Sequence, residues 1–411
     1  MAGCTSGRPL APAASKITHL VVLISENHTF DNYFGRYCTA PTGSNPSCTN
    51  GPACCEAAPN QEPATGIAPT ELTDEEHSKR DPNHHFDCEL EEIHGGKMDR
   101  FVTASCGSPR NFAYAPVDLV KPYHQLAQGN ALADRFFQPI VGESTANDLY
   151  FARARFVFKD NAAPPNAIGR ECSPVSGQPV EFSEPTLGDL LTARGVSWSW
   201  YHEGYREMID ARKNGQCPTP PEECPAGISI DPCTYNCADS PFSYFSSLRD
   251  NPSYFKDFED FATDLASRQL PSVSFIKPAG YHAEHPGFRT TVSDGVAFVG
   301  RLVSALASSP DASSTLFLLV YDEGGGYFDH VAPPASVVDG QPYGTRVPLL
   351  AVGPLARKNW VSHVPMEHSS IVRFIEWNWL GATGLLQGRD AVVANLGSLL
   401  DPAATGTAVP E

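Results

Sequence analysis

An apolar run from Thr315 to Tyr321 ends in two adjacent carboxylates, Asp322 and Glu323, followed by three consecutive glycines. In an open α/β sheet, ligands bind beyond the carboxyl ends of the strands. Hard divalent cations prefer oxygen ligands, and glycines let the backbone turn sharply beside a bound anion. The segment therefore indicates an α/β enzyme with metal ligands at a strand end. The alternative is an ordinary strand exit with a solvated acidic pair.

A second apolar run, Thr18 to Ser25, is followed in the same way by Glu26 and Asn27. Two strand ends thus offer four oxygen-bearing side chains to one place. An ordinary strand exit does not explain why both strand ends carry such side chains. The pair of segments therefore predicts a metal-binding functional site.

Strand-like and helix-like segments alternate along the chain. The predicted strands are Thr18 to Ser25, Ala133 to Pro139, Val196 to Tyr201, Ser272 to Ile276, Thr315 to Tyr321 and Val347 to Val352. The predicted helices include Leu187 to Arg194, Phe255 to Arg268 and Val292 to Ala307. This alternation predicts a mostly parallel, doubly wound sheet with helices on both faces.

One large domain, residues 18–385, is expected between an N-terminal segment, 1–17, and a C-terminal tail, 386–411. Two long irregular segments, near 36–82 and 203–254, interrupt it and are rich in cysteine, proline and glycine. Long loops without regular structure are usually functional or pinned, so these insertions are expected to roof the site.

The net charge excludes some partners. With 47 acidic against 29 basic residues the formal net charge is -18, which argues against a nucleic-acid-binding surface. No run of 18 apolar residues occurs, so no transmembrane segment is expected.

Twelve cysteines are abundant for a chain of this length. They lie mainly outside the predicted strands, which indicates disulfides and an extracytoplasmic location, secreted, periplasmic or lipid-anchored. A zinc site from Cys217, Cys224, Cys233 and Cys237 is the weaker alternative, because the paired C-x-x-C spacing is missing.

The start of the sequence offers a candidate lipid anchor. Ala2, Gly3 and Cys4 resemble the end of a bacterial lipoprotein signal, whose cysteine is lipidated. An N-terminal sequence without such a role is the alternative.

Ser144 is the candidate nucleophile. It lies in a segment, Gly142 to Tyr150, that follows a predicted strand and begins what resembles a helix. A hydroxyl at a helix N-terminus is well placed to attack an anion, and a nearby divalent metal would lower its pKa. The alternative is that Ser144 or Thr145 only caps the helix.

Histidines supply acid–base and oxyanion-binding groups. His282 and His285 follow the predicted strand Ser272 to Ile276, and His84 and His202 also occupy strand-end or loop positions. The remaining histidines that we interpret as solvated are His19, His77, His94, His124 and His363.

These motifs resemble a known family. The run Ile24 to Gly35 resembles the E-N-R-S-F-D-x-Y-F-G opening of the bacterial phosphoesterase family that includes nonhaemolytic-type phospholipases C and an acid phosphatase branch. The further motifs, in the order of the family, are Asp81 to His84, Gly96 to Asp99, Glu284 to Pro286, Tyr321 to Pro334, Arg346 to Pro348 and Glu367 to Glu376. The resemblance covers roughly residues 18 to 380.

The resemblance implies a fold similar to that of alkaline phosphatases. It implies that one divalent metal ion, which the sequence leaves open among Ca, Zn, Mg and Mn, is bound by Glu26, Asn27, Asp322 and Glu323. It also implies that Ser144 is the nucleophile. Here the chain departs from the pattern G-P-T-x-P-N-R, because Glu143, Ala146 and Asp148 stand where the family has proline, proline and arginine.

The expected reaction has two steps. Ser144 attacks phosphorus in line, and water then cleaves the phosphoseryl intermediate. His285, with His84 or His202, holds the non-bridging oxygens or protonates the leaving group, and His282 is a further candidate. The substrate is expected to be a small-molecule or lipid phosphoester, with monoester and diester both open.

Two rival functions remain. Ser144, Asp322 and either His330 or His368 occur in the order of a metal-free Ser-His-Asp carboxylesterase. That hypothesis leaves Glu26 and Asn27 unexplained. The second rival is a non-catalytic secreted binding protein that keeps the metal for stability.

Overall fold

The computed structural model describes residues 13–158, 167–172, 182–222, 224, 232–249, 251–335 and 338–411. Its strands are β1 His19–Ser25, β2 Thr70–Glu71, β3 Ala113–Tyr114, β4 Ala131–Ala133, β5 Phe136–Phe137, β6 Trp198–His202, β7 Phe255–Asp257, β8 Val273–Lys277, β9 Thr315–Tyr321, β10 Leu349–Val352, β11 Trp360–Ser362 and β12 Met366–Glu367. Its α-helices are α1 Phe30–Phe34, α2 Asp74–Lys79, α3 Phe86–Ile93, α4 Val117–Gly129, α5 Ser144–Arg153, α6 Leu187–Ala193, α7 Tyr205–Lys213, α8 Phe258–Ala266, α9 Gly280–Ala283, α10 Val292–Ala307, α11 His368–Ile375 and α12 Pro402–Thr405. None of these helices is long and apolar enough to cross a bilayer.

Eight strands form one sheet in the order β11-β4-β10-β9-β1-β8-β6-β7. Strand β10 runs antiparallel to both of its neighbours, and every other pairing in this sheet is parallel. The predicted mostly parallel sheet is confirmed.

Helices cover both faces of this sheet. All residues of β8, β9 and β10 are buried, as expected for strands covered on both sides. Helix α4 packs against α10, while α5 packs against α6 and α11. The chain is therefore doubly wound, as the alternation of segments predicted.

The strand register places the ends of three strands side by side. Ser25 of β1 lies opposite Tyr321 of β9, and Leu23 lies opposite Ile276 of β8. Because these strands are parallel, the residues that follow them emerge at one edge of the sheet.

Two predicted elements differ from the structure. The segment Ala133 to Pro139 is not one strand, because β4 ends at Ala133 and the separate β5 pairs with β12 in a small second sheet. The helix predicted from Phe255 begins three residues later. Phe255–Asp257 is strand β7, and the Asp257 side chain accepts a hydrogen bond from the Glu259 backbone and so caps α8.

The predicted disulfides are present in the structure. Five bridges join Cys38 to Cys55, Cys48 to Cys54, Cys88 to Cys106, Cys172 to Cys217 and Cys224 to Cys233. The zinc alternative is wrong, because Cys217 is bonded to Cys172 and Cys224 is bonded to Cys233, so these cysteines are disulfides rather than thiolate ligands. Cys237 is a buried thiol, and Cys4 lies outside the described residues.

The segment 386–411, expected as a tail, packs on the domain. Leu396, Leu399 and Leu400 are buried in the main hydrophobic core. Leu400 also forms an isolated antiparallel bridge with Ala356. The segment 386–411 is therefore packed as part of the domain.

Candidate active site

The four predicted metal ligands follow the ends of β1 and β9, and two of them, Glu26 and Asp322, contact the same ammonium of Lys277. The backbone N–H groups of Asn27 and Glu323 donate to Asp322 Oδ1 at 3.1 and 2.7 Å. Asn27 has a positive φ of 63°, and Gly325, with a φ of 62°, lies directly against it. A Cβ at Gly325 would lie 2.6 Å from the Asn27 Cβ, so the close approach of the two turns requires glycine.

Ser144 lies at the first position of α5 and faces this cluster. Its Oγ donates to Glu323 Oε1 at 2.7 Å. The N-cap residue is Glu143, and its side chain makes no capping hydrogen bond. Ser144 is therefore not the helix cap, and its hydroxyl is directed to a carboxylate of the cluster.

A buried carboxylate from α3 holds the turn that carries Ser144. Glu89 Oε2 accepts hydrogen bonds from the Gly142 backbone at 2.7 Å and from the Gln138 side chain at 2.9 Å. Burial raises the pKa of Glu89 to about 7. Glu89 positions the loop before α5. This contact could not be predicted, because it joins segments that lie 53 residues apart in the sequence.

Lys277, the last residue of β8, is a central residue that the sequence analysis missed. Its fully buried ammonium lies 3.0 Å from Glu26 Oε1, 3.2 Å from Asp322 Oδ2 and 3.3 Å from Asp148 Oδ2. One cation thus joins the ends of β1 and β9 to α5. The available signal was a lysine directly after the apolar strand segment that ends at Ile276.

The cluster holds more carboxyl groups than cationic groups. Burial raises the pKa of Asp148 to about 8, and the nearby Asp322 and Glu26 raise it further against the effect of Lys277. Burial likewise raises the pKa of Glu323 well above its usual value, with a further contribution from Asp322. Burial would raise the pKa of Glu26 too, but Lys277 and His285 outweigh it and lower that pKa. A bound cation would favour the charged forms of these crowded carboxyl groups.

The donor set fits a hard divalent cation. Asn27 Oδ1 and Glu323 Oε2 are buried and have no hydrogen-bond partner in the described part of the chain. Buried polar atoms are nearly always partnered, so such atoms call for a ligand. Three carboxylates and one amide oxygen are the ligands of a hard metal ion.

A cavity of about 210 Å³ opens beside Glu26. Its lining includes His285 and Asp81, together with residues of the second insertion, Asn236 and Asp239. The ring of His84 lies 6.3 Å from that of His285, centroid to centroid. Residues of both predicted insertions therefore line the cavity.

The other two predicted histidines differ in position. His202 is buried beside the cluster, and its Nδ1 donates to the Glu203 carbonyl at 2.8 Å. Burial lowers the pKa of His202 to about 4, so its ring is neutral. His282 is held by Glu203 Oε1 at 2.9 Å and stacks on Phe298 rather than lining the cavity.

Two histidines interpreted as solvated are buried instead. His77 Nδ1 donates to the Thr290 carbonyl and His124 Nε2 donates to the Tyr33 carbonyl, at 3.1 and 2.7 Å. The interpretation was wrong because both rings lie on helices that face the core.

The residues of the carboxylesterase hypothesis do not assemble into a triad. Ser144 donates to Glu323 rather than to a histidine. His330 is bound by Asp31 at 2.8 Å, and the ring nitrogens of His368 contact the carbonyls of Asn147 and Tyr321. Asp322 is bound to Lys277, so no histidine links it to the serine.

Comparison with known proteins gives consistent results. A sequence model described as Phosphoesterase family matches residues 17–380. The "Non-hemolytic phospholipase C" of Burkholderia pseudomallei is 26% identical over 88% of this chain and 55% of that protein. The "Phospholipase C B" of Mycobacterium tuberculosis is 25% identical over 94% of this chain and 78% of that protein. The chain spans little more than half the length of the Burkholderia relative.

Solved structures give weaker likenesses. A protein of the alkaline phosphatase superfamily from Vibrio parahaemolyticus has 10% identity and a TM-score of 0.39, covering 93% of this chain and 72% of that one. The lipoteichoic acid synthase LtaP from Listeria monocytogenes has 9% identity and a TM-score of 0.44, covering 93% and 79%. The fold assignment rests on the sheet topology described above.

Proposed function

Because this chain belongs to the Phosphoesterase family, we propose that it is a phosphoric ester hydrolase that uses Ser144 as nucleophile and one divalent metal ion. The observation that carries the proposal is the 2.7 Å hydrogen bond from Ser144 Oγ to Glu323. This bond joins the hydroxyl of the first residue of α5 to a candidate metal ligand. The names of the phospholipase C relatives support a phosphoester as the bond that is cleaved.

Glu26, Asn27, Asp322 and Glu323 would hold the metal ion. When bound, the ion supplies positive charge that favours the alkoxide form of Ser144 and attracts the phosphate. Ser144 Oγ lies at the N-terminus of α5, where the helix dipole also favours negative charge. Glu323 Oε1 is the nearest acceptor of the hydroxyl proton.

The chain's own residues then carry the two chemical steps. Ser144 forms a bond to phosphorus as the bond to the leaving oxygen breaks, and His285 gives the leaving group its proton from the cavity wall. Water then cleaves the phosphoseryl bond and restores Ser144. His84 lies beside His285, and neutral His202 lies behind the cluster and supports its shape.

The walls of the cavity decide the substrate. Pro232, Asn236 and Phe288 add apolar and amide surface to the carboxylates of Asp81 and Asp239. A lipid or small-molecule phosphoester fits this mixture. The five disulfides support a location outside the cytoplasm, where such bonds persist.

The experiment combines metal analysis with a panel of chromogenic substrates. The purified protein is assayed with p-nitrophenyl phosphate, bis(p-nitrophenyl) phosphate and p-nitrophenyl acetate, before and after chelation. We expect turnover of at least one phosphoester, loss of that turnover with chelator and recovery with added divalent ions. Turnover of the acetate alone, unaffected by chelator, would contradict the proposal and restore the carboxylesterase. No turnover of any substrate by metal-loaded protein would favour a binding protein.

A further inference from the structure

The second insertion places a buried carboxylate against the candidate metal ligands. Asp239 ends the short 3-10 turn Cys237–Asp239 and lines the cavity that opens beside Glu26. We propose that Asp239 is a further ligand of the divalent ion, in addition to the four side chains that follow β1 and β9. This inference rests on the proposed function, because it requires an ion at that cluster. Neither of the two strand-end motifs contains Asp239, so this ligand would come from a third part of the chain.

Asp239 and Glu26 lie in contact away from solvent. The two side chains make a hydrogen-bond contact, and the residues are 5% and 3% exposed. Two carboxylates so placed repel each other when both are charged, and burial weakens the screening of that repulsion by solvent. A divalent ion bound by both carboxylates would replace the repulsion with two favourable contacts. The pair is therefore arranged as ligands of one cation are.

Asp239 belongs to the same electrostatic group as the candidate ligands. Burial raises the pKa of Asp239 well above its usual value. Lys277 acts in the opposite direction and lowers that pKa. The carboxylates of Glu26, Asp148 and Asp322 raise it further. The Asp239 carboxylate is thus close enough to these four groups to interact with each of them, and an ion held by Glu26 and Asp322 would lie within the same group.

Asn236 fixes the orientation of the Asp239 carboxylate. Its Nδ2 donates to Asp239 Oδ2 at 2.7 Å. Its Oδ1 accepts the Ala238 backbone N–H at 3.1 Å, so the amide caps the turn and is itself held in place. Carboxylates that ligate metal ions are usually hydrogen-bonded by neighbouring groups in this way. The contact with Asn236 engages Oδ2, and Oδ1 is then the oxygen that would bind the ion.

Aromatic packing holds this turn against the strands beside the cluster. Phe242 follows Asp239 by three residues, and its ring lies 4.9 Å from that of Trp198 on β6, centroid to centroid. The same ring lies 5.7 Å from that of Phe275 on β8. Phe275 precedes Lys277 by two residues on that strand. The hydrophobic core therefore sets the position of Asp239, and a ligand that is held in advance loses less conformational entropy on binding.

The coordination number of a hard cation also calls for further ligands. Calcium binds about six to eight oxygens and magnesium about six. The four side chains that follow β1 and β9 leave positions for another protein oxygen beside the substrate. Asp239 offers that oxygen from a segment that is irregular in sequence, which is why the strand-end motifs did not predict it.

Equilibrium dialysis of the metal-free full-length protein tests the assignment. Ca²⁺, Mg²⁺, Mn²⁺ and Zn²⁺ are titrated separately, and the ion that the wild type binds most tightly is used for the variants. We expect one tightly bound ion per chain. Asp239→Asn should weaken its binding about 100-fold, because the substitution removes one anionic ligand. Asn236→Ala should weaken it about tenfold, because it removes only the hydrogen bond that orients Asp239.

Asp210→Asn is the matched control. It makes the same substitution in the same insertion, on helix α7, where the Asp210 side chain is 63% exposed and pairs with Lys213 at 2.8 Å. Because Asp210 lies on the surface, this variant should bind the ion with wild-type affinity.

Thermal melts distinguish a ligand from a structural residue. Without metal, Asp239→Asn should melt at or slightly above the wild-type temperature, because an amide cannot carry the charge that burial disfavours. The same concentration of ion should raise the melting temperature of the wild type more than that of the variant, since stabilisation by a ligand follows its affinity. A variant that melts lower without metal, or does not fold, would show a structural role and overturn the proposal.

Unchanged ion affinity in Asp239→Asn would overturn the proposal and leave the Ser144 mechanism with its four ligands intact. Loss of turnover without loss of affinity would also overturn it, because Asp239 would then act on the substrate. Absence of a stoichiometric ion in the wild type is a different result, since it contradicts the proposed function and this inference with it.

Discussion

Two buried ionic networks, built from the same two sequence motifs, differ in how completely their charges are paired. The first, which we propose to be catalytic and call the catalytic cluster, consists of Glu26, Asn27, Ser144, Asp148, Lys277, Asp322 and Glu323. The arginine network consists of Asp31, Glu56, Asp329, His330 and Arg346. Glu26 and Asp31 belong to one motif, Asp322 and Asp329 to the other, so sequence alone gives no reason to treat them differently.

The charged side chains of the arginine network are paired with one another. Arg346 binds Asp31 Oδ1 at 2.9 Å and Asp329 Oδ1 at 2.8 Å. His330 binds Asp31 through Nδ1 at 2.8 Å and Glu56 through Nε2 at 3.2 Å. Burial would raise the pKa of Asp31, but His330 and Arg346 outweigh it and lower that pKa. Within the described residues, no buried side-chain nitrogen or oxygen of this network lacks a partner.

The catalytic cluster is incomplete by the same criteria. Three carboxylates, those of Glu26, Asp148 and Asp322, lie within 3.3 Å of the one ammonium of Lys277. Buried atoms of Asn27, Asp148 and Glu323 have no hydrogen-bond partner among the described residues. A paired network stabilises a fold, whereas an under-neutralised one is prepared for a ligand. On this comparison we interpret the arginine network as structural and the catalytic cluster as a binding site, a distinction that the two motifs alone do not make.

The largest expected effect is on turnover. Ser144→Ala should reduce phosphoester hydrolysis more than ~10³-fold, about 4 kcal/mol in barrier, because no other hydroxyl replaces the nucleophile. The melting temperature and metal content should stay close to those of the wild type, because the substitution removes one hydroxyl and changes neither the hydrophobic core nor a metal ligand. Thr145→Ala is the neighbouring control and should keep most activity. An active Ser144→Ala enzyme would remove the serine mechanism.

Breaking the arginine network should cost stability instead. Arg346→Met leaves Asp31 and Asp329 buried without their cation, which should lower the free energy of unfolding by about 3–5 kcal/mol. Denaturant unfolding measures this loss, and added divalent ions should not restore it.

Lys277→Met tests the other half of the comparison. It also removes a buried cation, but from a cluster that a divalent ion can neutralise, so saturating metal should restore much of the lost stability. Equal recovery of both variants by metal would show that the two networks do not differ as described.

The metal ligands are the next test. Asp322→Asn should weaken divalent-ion binding about 100-fold, because it removes one anionic ligand. Loss of a residue that only supports a ligand already weakens metal binding by about 10–100-fold. Activity should fall in parallel, as measured by calorimetric titration and turnover on the same samples. Binding retained at wild-type affinity would exclude Asp322 as a ligand.

The smallest effect concerns pH. Because the pKa of Asp148 is raised from 3.8 to about 8 in the fold, the native state holds a proton that the unfolded chain releases over that range. Stability of the metal-free protein should therefore fall as pH rises from 5 to 8. Asp148→Asn should flatten this slope in thermal melts at each pH. Metal-free wild-type protein that is more stable at pH 8 would contradict the raised pKa of Asp148.

Strand-borne features could be predicted from the sequence because their signals are local. The apolar runs before Glu26 and Asp322 predicted parallel strands, and parallel strands bring their ends together. Helix α10 was predicted at its observed bounds, Val292–Ala307, because it has a regular amphipathic pattern and an N-cap threonine.

Loop-borne and tertiary features could not be predicted. One such feature is the contact of Glu89 with the loop before Ser144, which joins distant segments. Another is that His285 lines the cavity whereas His282 is held by Glu203, which depends on tertiary packing. Lys277 was missed because a lysine at a strand end usually reaches solvent, and only the carboxylates of three other segments make burial of its charge favourable. Disulfide connectivity likewise has no local signal.

The pairing of β1 with β8 and β9 also has a consequence for biosynthesis. Strand β1 is made first, yet its partners begin at residues 273 and 315. Such contacts between distant segments form late, because loop closure must precede them. During synthesis from the N-terminus, Glu26 has neither its ion-pair partner Lys277 nor the neighbouring Asp322 until most of the domain has been made. A chain interrupted before residue 315 therefore contains Ser144 but not Asp322 or Glu323, so the proposed hydrolytic activity would require completion of the sheet.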